Sequence, residues 1–262
     1  MRIALGIEYD GTAYNGWQSQ RTGDGLQTVV EKALTQVADE DVKVICAGRT
    51  DTGVHASGQV VHFDTSSDRS QREWLLGANS NLPDDIAVTW VRSVSDEFHA
   101  RFSATARRYR YVILNRRVRS ALHRRRAWWV SQPLDAERMD DAVQVMRGKH
   151  DFSAFRAAGC QASTPVREIT SISVARDEDW IILDVTANAF LQHMVRNVAG
   201  SLVSVGSGDK SAEWLSAVLA NRDRKQGGVA APPHGLTLIA VDYPYGFELP
   251  SGSAPKNASD PC

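Results

Sequence analysis

Apolar and polar positions along this chain recur with two different periods, and the changes of period mark out its elements. Ile3 to Tyr9 has the pattern of a strand, while Val29, Ala33, Leu34 and Val37 recur at the helical 3.6-residue period and predict a helix over Thr28–Val37. Val42–Cys46 and Val60–Asp64 read as strands on either side of a polar loop, followed by a helix near Arg72–Gly77 and a strand over Ile86–Val94. A second series opens with a strand over Thr105–Leu114, in which Arg108 and Arg110 oppose Tyr109 and Tyr111. A helix over Asp135–Met146 follows, with Asp135 as its N-cap and Gly148 as its stop. Val166–Ala175 and Trp180–Ala187 predict an antiparallel pair turned at Arg176-Asp177-Glu178-Asp179, with Ile181, Leu183, Val185 and Ala187 on one face. A helix from Leu191 to Val205 buries Leu191, Met194, Val195, Val198 and Leu202; a short helix over Ala212–Ala220 and a strand over Leu236–Val241 complete the series. Strands and helices mixed in this way predict an α+β protein, with two βαβ-type halves sharing a mainly antiparallel sheet flanked by helices. The halves fall at 1–103 and 104–247, and residues 248–262, rich in Ser, Pro, Gly and Asn, form a disordered tail.

The 262 residues suit one large or two medium domains. No apolar run is long enough to span a bilayer, and the N-terminus lacks the apolar core and cleavage site of a signal peptide. Cys46, Cys160 and Cys262 are odd in number and far apart, which predicts reduced thiols in a cytoplasm. The net charge of −1 conceals an uneven distribution. From Phe98 to Leu134 there is no acidic residue, yet ten arginines occur, interleaved with Phe98, Phe102, Tyr109, Tyr111, Trp128 and Trp129. Arginine pairs bidentately with phosphate, so this block has the footprint of a nucleic-acid site, although a solvated basic surface would share its composition.

The stretch with most chemistry is Ala47-Gly48-Arg49-Thr50-Asp51-Thr52-Gly53-Val54-His55-Ala56. A single carboxylate lies between two glycines and two hydroxyls, on a loop between strands. Arg49 favours its ionised form, and an ionised Asp51 can act as nucleophile, base or metal ligand. The seven histidines form no zinc-ligand spacing, so no metal is expected, and neither a phosphate loop nor a dinucleotide fingerprint occurs. Asp51-Thr52-Gly53 also spells the aspartic-protease triplet, but Arg49 opposes the proton sharing those enzymes need. Two further clusters have chemical potential: Arg107-Arg108-Tyr109-Arg110-Tyr111, whose tyrosines can stack on bases, and Gln192-His193-Met194-Val195-Arg196-Asn197, where Arg196 projects from a packed helix.

Several blocks in order resemble the TruA family of tRNA pseudouridine synthases. They are Ile7-Glu8-Tyr9-Asp10-Gly11-Thr12 with Gly16-Trp17-Gln18, the Asp51 loop, Asn81-Leu82-Pro83, Phe98-His99-Ala100-Arg101-Phe102-Ser103-Ala104 and Arg108-Tyr109-Arg110-Tyr111. Downstream come His150-Asp151-Phe152, Phe155-Arg156, His193-Met194-Val195-Arg196-Asn197 and Gly200. The resemblance implies the pseudouridine synthase fold, with two RRM-like (ferredoxin-like) halves in one sheet. It implies a homodimer that needs no cofactor and converts uridine to pseudouridine at positions 38, 39 and 40 of the tRNA anticodon stem-loop. By matching position, Asp51 is the nucleophile, Arg196 pairs with it, Tyr109 stacks on the target uracil and Arg49 helps to extrude the base. RNA contacts are implied for Arg69, Phe98, His99, Arg101, Phe102, Arg107, Arg117, Cys160 and Gln161. Thr52 departs from the alanine common in the family. Attack at C6, attack at C1′ and a glycal route all remain open, as do a non-catalytic tRNA-binding protein and a synthase acting at another RNA position.

Overall fold

The structure is a computed structural model that describes residues 1–19 and 25–250; the predicted tail beyond residue 250 lies outside the described residues. In chain order the strands and helices are β1 (Arg2–Tyr9), α1 (Leu26–Ala38), β2 (Ile45–Cys46), β3 (His55–Asp64), α2 (Gln71–Asn81), β4 (Ile86–Val94), β5 (Ala106–Asn115), β6 (Trp128–Val130), α3 (Ala136–Val143), β7 (Gly148–Asp151), β8 (Val166–Asp177), β9 (Trp180–Ala187), α4 (Met194–Gly206), α5 (Ala212–Asn221) and β10 (Leu236–Asp242). The fold is α+β with mostly antiparallel strands, as the residue pattern predicts. Among the described residues no helix is long and apolar enough to cross a membrane.

The chain divides into two compact units. One comprises Met1–Arg107 together with the strand segment that begins at Leu238. Its strands lie in the order β4-β1-β3-β10, with β2 also paired to β3. β1 is antiparallel to both neighbours, with Leu5 opposite Val61 on β3 and Val91 on β4. Gly6 leaves the space that the Trp90 indole fills, since a Cβ there would lie 2.0 Å from the indole nitrogen. Trp74 of α2 packs edge-on against Phe63, and Gly77 lets α2 approach Val37 of α1. A reciprocal capping box between Ser70 and Glu73 starts α2.

The second unit is Arg108–Thr237, with strand order β5-β9-β8-β7 and β6 parallel to β5. The hairpin of β8 and β9 aligns Ile172 with Val185 and Val174 with Leu183, and these side chains are buried. The apolar face of α4 buries Met194, Val195, Val198 and Leu202, and Gly206 brings α4 against Met139 of α3.

Three expectations need correction. Of the predicted strand Val42–Cys46 only Ile45–Cys46 is strand, because the amides of Val42 and Val44 donate to Thr35 Oγ1 (3.1 Å) and Glu31 Oε1 (3.1 Å) of α1. The helix expected from Leu191 begins at Met194, because His193 adopts the left-handed conformation (φ 61°) as its N-cap. The helix expected to reach Met146 is α-helical only to Val143, and its last turn tightens to a 3-10 turn over Gln144–Met146. In β5, Tyr109 to Asn115 are all buried, and Arg110 is admitted through a bidentate pair with Asp184 (2.8 and 2.9 Å).

Candidate active site

In the first unit, β2 and β3 converge on the loop that carries Asp51. The pairing of Cys46 with Val61 continues as the Ala47 amide bonds to the Val60 carbonyl at 2.8 Å, and the chain then leaves the ladder. A β-turn returns it: the Val54 amide donates to the Asp51 carbonyl at 3.1 Å, with Gly53 at φ 77° as the third residue. Asp51 is half-buried at the head of this turn, whereas Arg49 and Thr52 are exposed.

A second loop braces the turn from behind. The Trp17 amide donates to the Thr50 carbonyl at 3.0 Å. Gly16, at φ 85°, comes so close that a Cβ would lie 2.7 Å from the Thr50 carbonyl oxygen. Beneath the loop lies a buried polar group. Gln59, fully buried in β3, donates from Nε2 to the Gly48 carbonyl at 2.6 Å, and Tyr9 Oη lies 2.8 Å from Thr50 Oγ1. The Gly11 amide donates to Nδ1 of the buried His55 at 3.1 Å. Burial raises the Cys46 thiol to about 12, so at neutral pH this sulfur is an inert filler.

In the second unit, Tyr109 on β5 is almost fully buried, and its ring meets Phe190 edge-on at 5.0 Å. Tyr111 is wholly buried and donates from its hydroxyl to the Pro232 carbonyl at 2.7 Å; burial raises its pKa well above the ordinary phenol range. Arg196 lies in the first turn of α4, where its Nε donates to the Ala231 carbonyl at 2.8 Å. The segment approaching Ala231 runs along α4 like a strap. Arg224 donates to Gly228 O (3.1 Å) and to Asn197 Oδ1 (2.9 Å), and the Gly228 amide donates to Ser201 Oγ (3.1 Å).

The arginine block separates into two groups. Arg101 and Arg117 are exposed, as is Arg69, whose Nε donates to the Val37 carbonyl. His99 stacks on the exposed Phe102 ring at 4.4 Å, and the Arg101 guanidinium lies 5.5 Å from that ring's centroid. Arg107, by contrast, is buried, and its guanidinium donates to the carbonyls of Ala47, Ala104 and Arg101. Phe98 is completely buried against Tyr243 and Phe247. Both were expected at an RNA surface; their side chains instead shape the turn that presents His99, Arg101 and Phe102. Cys160 is buried as well, next to the exposed Gln161.

The residues that sequence reasoning missed are Gln59, Phe190 and Ala231. Gln59 left one signal, an amide in a strand whose next residues are Val60, Val61 and Phe63. Ala231 acts through its backbone and left none. Among the described residues no three His, Cys, Asp or Glu side chains group closely enough to hold a metal ion.

A family model described as tRNA pseudouridine synthase matches residues 6–103 and 142–244. A curated relative from Coxiella burnetii (strain Dugway 5J108-111), tRNA pseudouridine synthase A, is 54% identical over 249 residues, 95% of each chain. Another of that name from Nitrosococcus oceani is 52% identical over 255 residues, 97% of this chain and 98% of the relative. Among solved structures, a chain of a Cbf5-Nop10-Gar1 complex aligns over 90% of this chain and 48% of its own, at 10% identity and a TM-score of 0.37.

Proposed function

This chain belongs to the tRNA pseudouridine synthase family, whose chemistry is uridine isomerisation in tRNA, and we propose that its targets are uridines 38, 39 and 40 of the anticodon stem-loop. The reaction breaks the bond between N1 and C1′, turns the uracil, and joins C5 to C1′; the C5 proton is lost and N1 gains one. Atoms and electrons balance within the nucleotide, so the reaction needs no external oxidant, reductant or hydrolytic water.

The observation that carries this reading is the construction of the Asp51 turn. Its backbone is braced by Trp17, Gly16 and Gln59, while its carboxylate stays half-buried at the head of the turn. A reacting group needs this combination, because displacement of about 1 Å can cost about 100-fold in rate. Asp51 is the nucleophile in this proposal, Arg196 is its cationic partner, and Tyr109 is the ring on which the uracil stacks. Arg49, exposed two residues before Asp51, fills the place of the extruded base. Extrusion costs a few kcal/mol of lost stacking, offset by arginine–phosphate contacts and by the aromatic surface. Arg69, His99, Arg101, Phe102, Arg117 and Gln161 supply RNA contacts. The enzyme acts as a cytoplasmic homodimer without metal or organic cofactor.

The test is incubation with unmodified tRNA bearing uridine at 38–40, in buffer containing a chelator, followed by chemical mapping of pseudouridine. Product at those positions, abolished by Asp51→Ala with tRNA affinity retained, is expected. Product only elsewhere would refute the assigned positions, and turnover by Asp51→Ala would refute the nucleophile.

A further inference from the structure

Three buried polar side chains meet at the Asp51 loop: Tyr9 on β1, Gln59 on β3, and Thr50 in the loop itself. Tyr9 is 3% exposed, Thr50 7% and Gln59 0%. Tyr9 Oη and Thr50 Oγ1 are 2.8 Å apart, and Gln59 Nε2 lies 3.4 Å from Tyr9 Oη and 2.6 Å from the Gly48 carbonyl. Gln59 Oε1 accepts from the Gly48 amide at 3.4 Å and from the Val60 amide at 3.2 Å. The carboxamide thus grips Gly48 by both its N–H and its C=O.

An amide nitrogen can only donate, so Tyr9 Oη accepts from Gln59, and either hydroxyl can donate across the 2.8 Å contact between Tyr9 Oη and Thr50 Oγ1. The contact ties the Thr50 side chain to β1. Trp17 and Gly16 hold the Thr50 carbonyl from the other side. Apolar side chains of similar volume would hold β1 to β3 as well, because buried hydrogen bonds contribute little net stability. They could not fix the orientation of the Gly48 and Thr50 peptide groups, and those groups lead into the reactive residue.

We propose that Tyr9 and Gln59 are positioning residues, which act through Thr50 and Gly48 to set the direction in which Asp51 presents its carboxylate. The proposal rests on Asp51 as the reacting group. Tyr9→Phe removes one oxygen and keeps the ring contact with Trp17, whose centroid lies 5.9 Å away. Its single-turnover rate on unmodified tRNA falls about 10- to 100-fold, in keeping with the cost of misplacing a reacting group, while the dissociation constant for tRNA stays within about twofold. Thr50→Val shows the same loss, Thr50→Ser recovers most of the rate, and Tyr9→Phe/Thr50→Val is no slower than either single variant, because both remove one shared link.

Wild-type rate in Tyr9→Phe would overturn the proposal. Losses that multiply in the double variant, or a rate loss matched by equal loss of tRNA binding, would overturn it too. Asp51→Ala assayed alongside separates the two ideas. If Asp51→Ala turns over, the nucleophile assignment has failed; if it is inactive while Tyr9→Phe runs at full rate, only the positioning role has failed.

Discussion

Arg196 and Ala231 are joined by two hydrogen bonds, one in each direction. The arginine Nε donates to the alanine carbonyl at 2.8 Å, and the alanine amide donates back to the arginine carbonyl at 3.0 Å. The backbone of the strap along α4 thus holds the Nε of this guanidinium.

Gly200→Ala tests that dependence. A Cβ at Gly200 would lie 1.7 Å from the Val229 carbonyl oxygen, so the strap must lift. The overpacking costs about 1–3 kcal/mol of stability, readable by urea denaturation. The rate is expected to fall further than tRNA affinity, because Arg196 loses its orienting carbonyl. A variant with normal stability and normal rate would show that the strap has no such hold on Arg196.

Replacing Arg117 and replacing Arg107 should have different consequences. Arg117 is exposed, so Arg117→Ala weakens tRNA binding and reduces the slope of log affinity against log salt by about 0.7–0.9. Arg107 is buried on three carbonyls, so Arg107→Ala lowers the unfolding midpoint and leaves the salt slope near that of the wild type. Salt titrations of both variants decide the matter; the opposite pattern would return Arg107 to the RNA surface.

Asp184→Ala removes the bidentate carboxylate partner of the buried Arg110 guanidinium in the second unit. Complete burial would make the cost about 3–5 kcal/mol. The Asp184 side chain is 35% exposed, so screening reduces this to about 2 kcal/mol. Denaturant melts measure the loss, and Arg110→Met/Asp184→Ala should recover part of it by removing the buried charge.

Acid should weaken the first unit through His62. Burial, and then the charges of His99 and Arg2, lower its pKa to about 4, against the favourable influence of Asp64, and its Nδ1 accepts from the Ala100 amide. The unfolded chain takes up this proton near pH 6.5 and the folded chain does not. Stability is thus complete above about pH 6.5 and falls as the pH drops toward 4, by at most about 1.4 kcal/mol per pH unit from this group. His62→Asn keeps an acceptor for Ala100 and removes the titration, so its stability–pH curve should be flatter between pH 6.5 and 4.5. An unchanged slope would assign the acid loss to other groups.

How much could be read from the sequence depended on which atoms do the work. Periodicity located helices and strands whose side chains make the core, such as α1 with Leu34 and β9 with Ile181, Leu183 and Val185. It failed where a side chain competes for a backbone amide, as Glu31 and Thr35 do at Val44 and Val42. It also passed over β6 and β7, of three and four residues, which are too short to show a period. At the candidate site the glycines around Asp51 were legible because their freedom is local. The hold of Gln59 on Gly48 was not, since a polar residue in a strand has the same sequence signature whether it faces water or braces a loop. Arg107 and Arg110 show the reverse case, counted with a charged surface although each is committed inside its own unit.

The bond from Arg107 to the Ala47 carbonyl bears on the order in which the chain completes itself during synthesis. Most braces of the Asp51 turn come from residues 9 to 60, whereas this one spans 60 positions. A nascent chain ending short of residue 107 therefore carries Asp51, the proposed nucleophile, on a turn that still lacks this bond. That bond arrives with the strand that also carries Tyr109, so the ribosome delivers a brace of the loop and the ring proposed to stack on the uracil within three residues of each other.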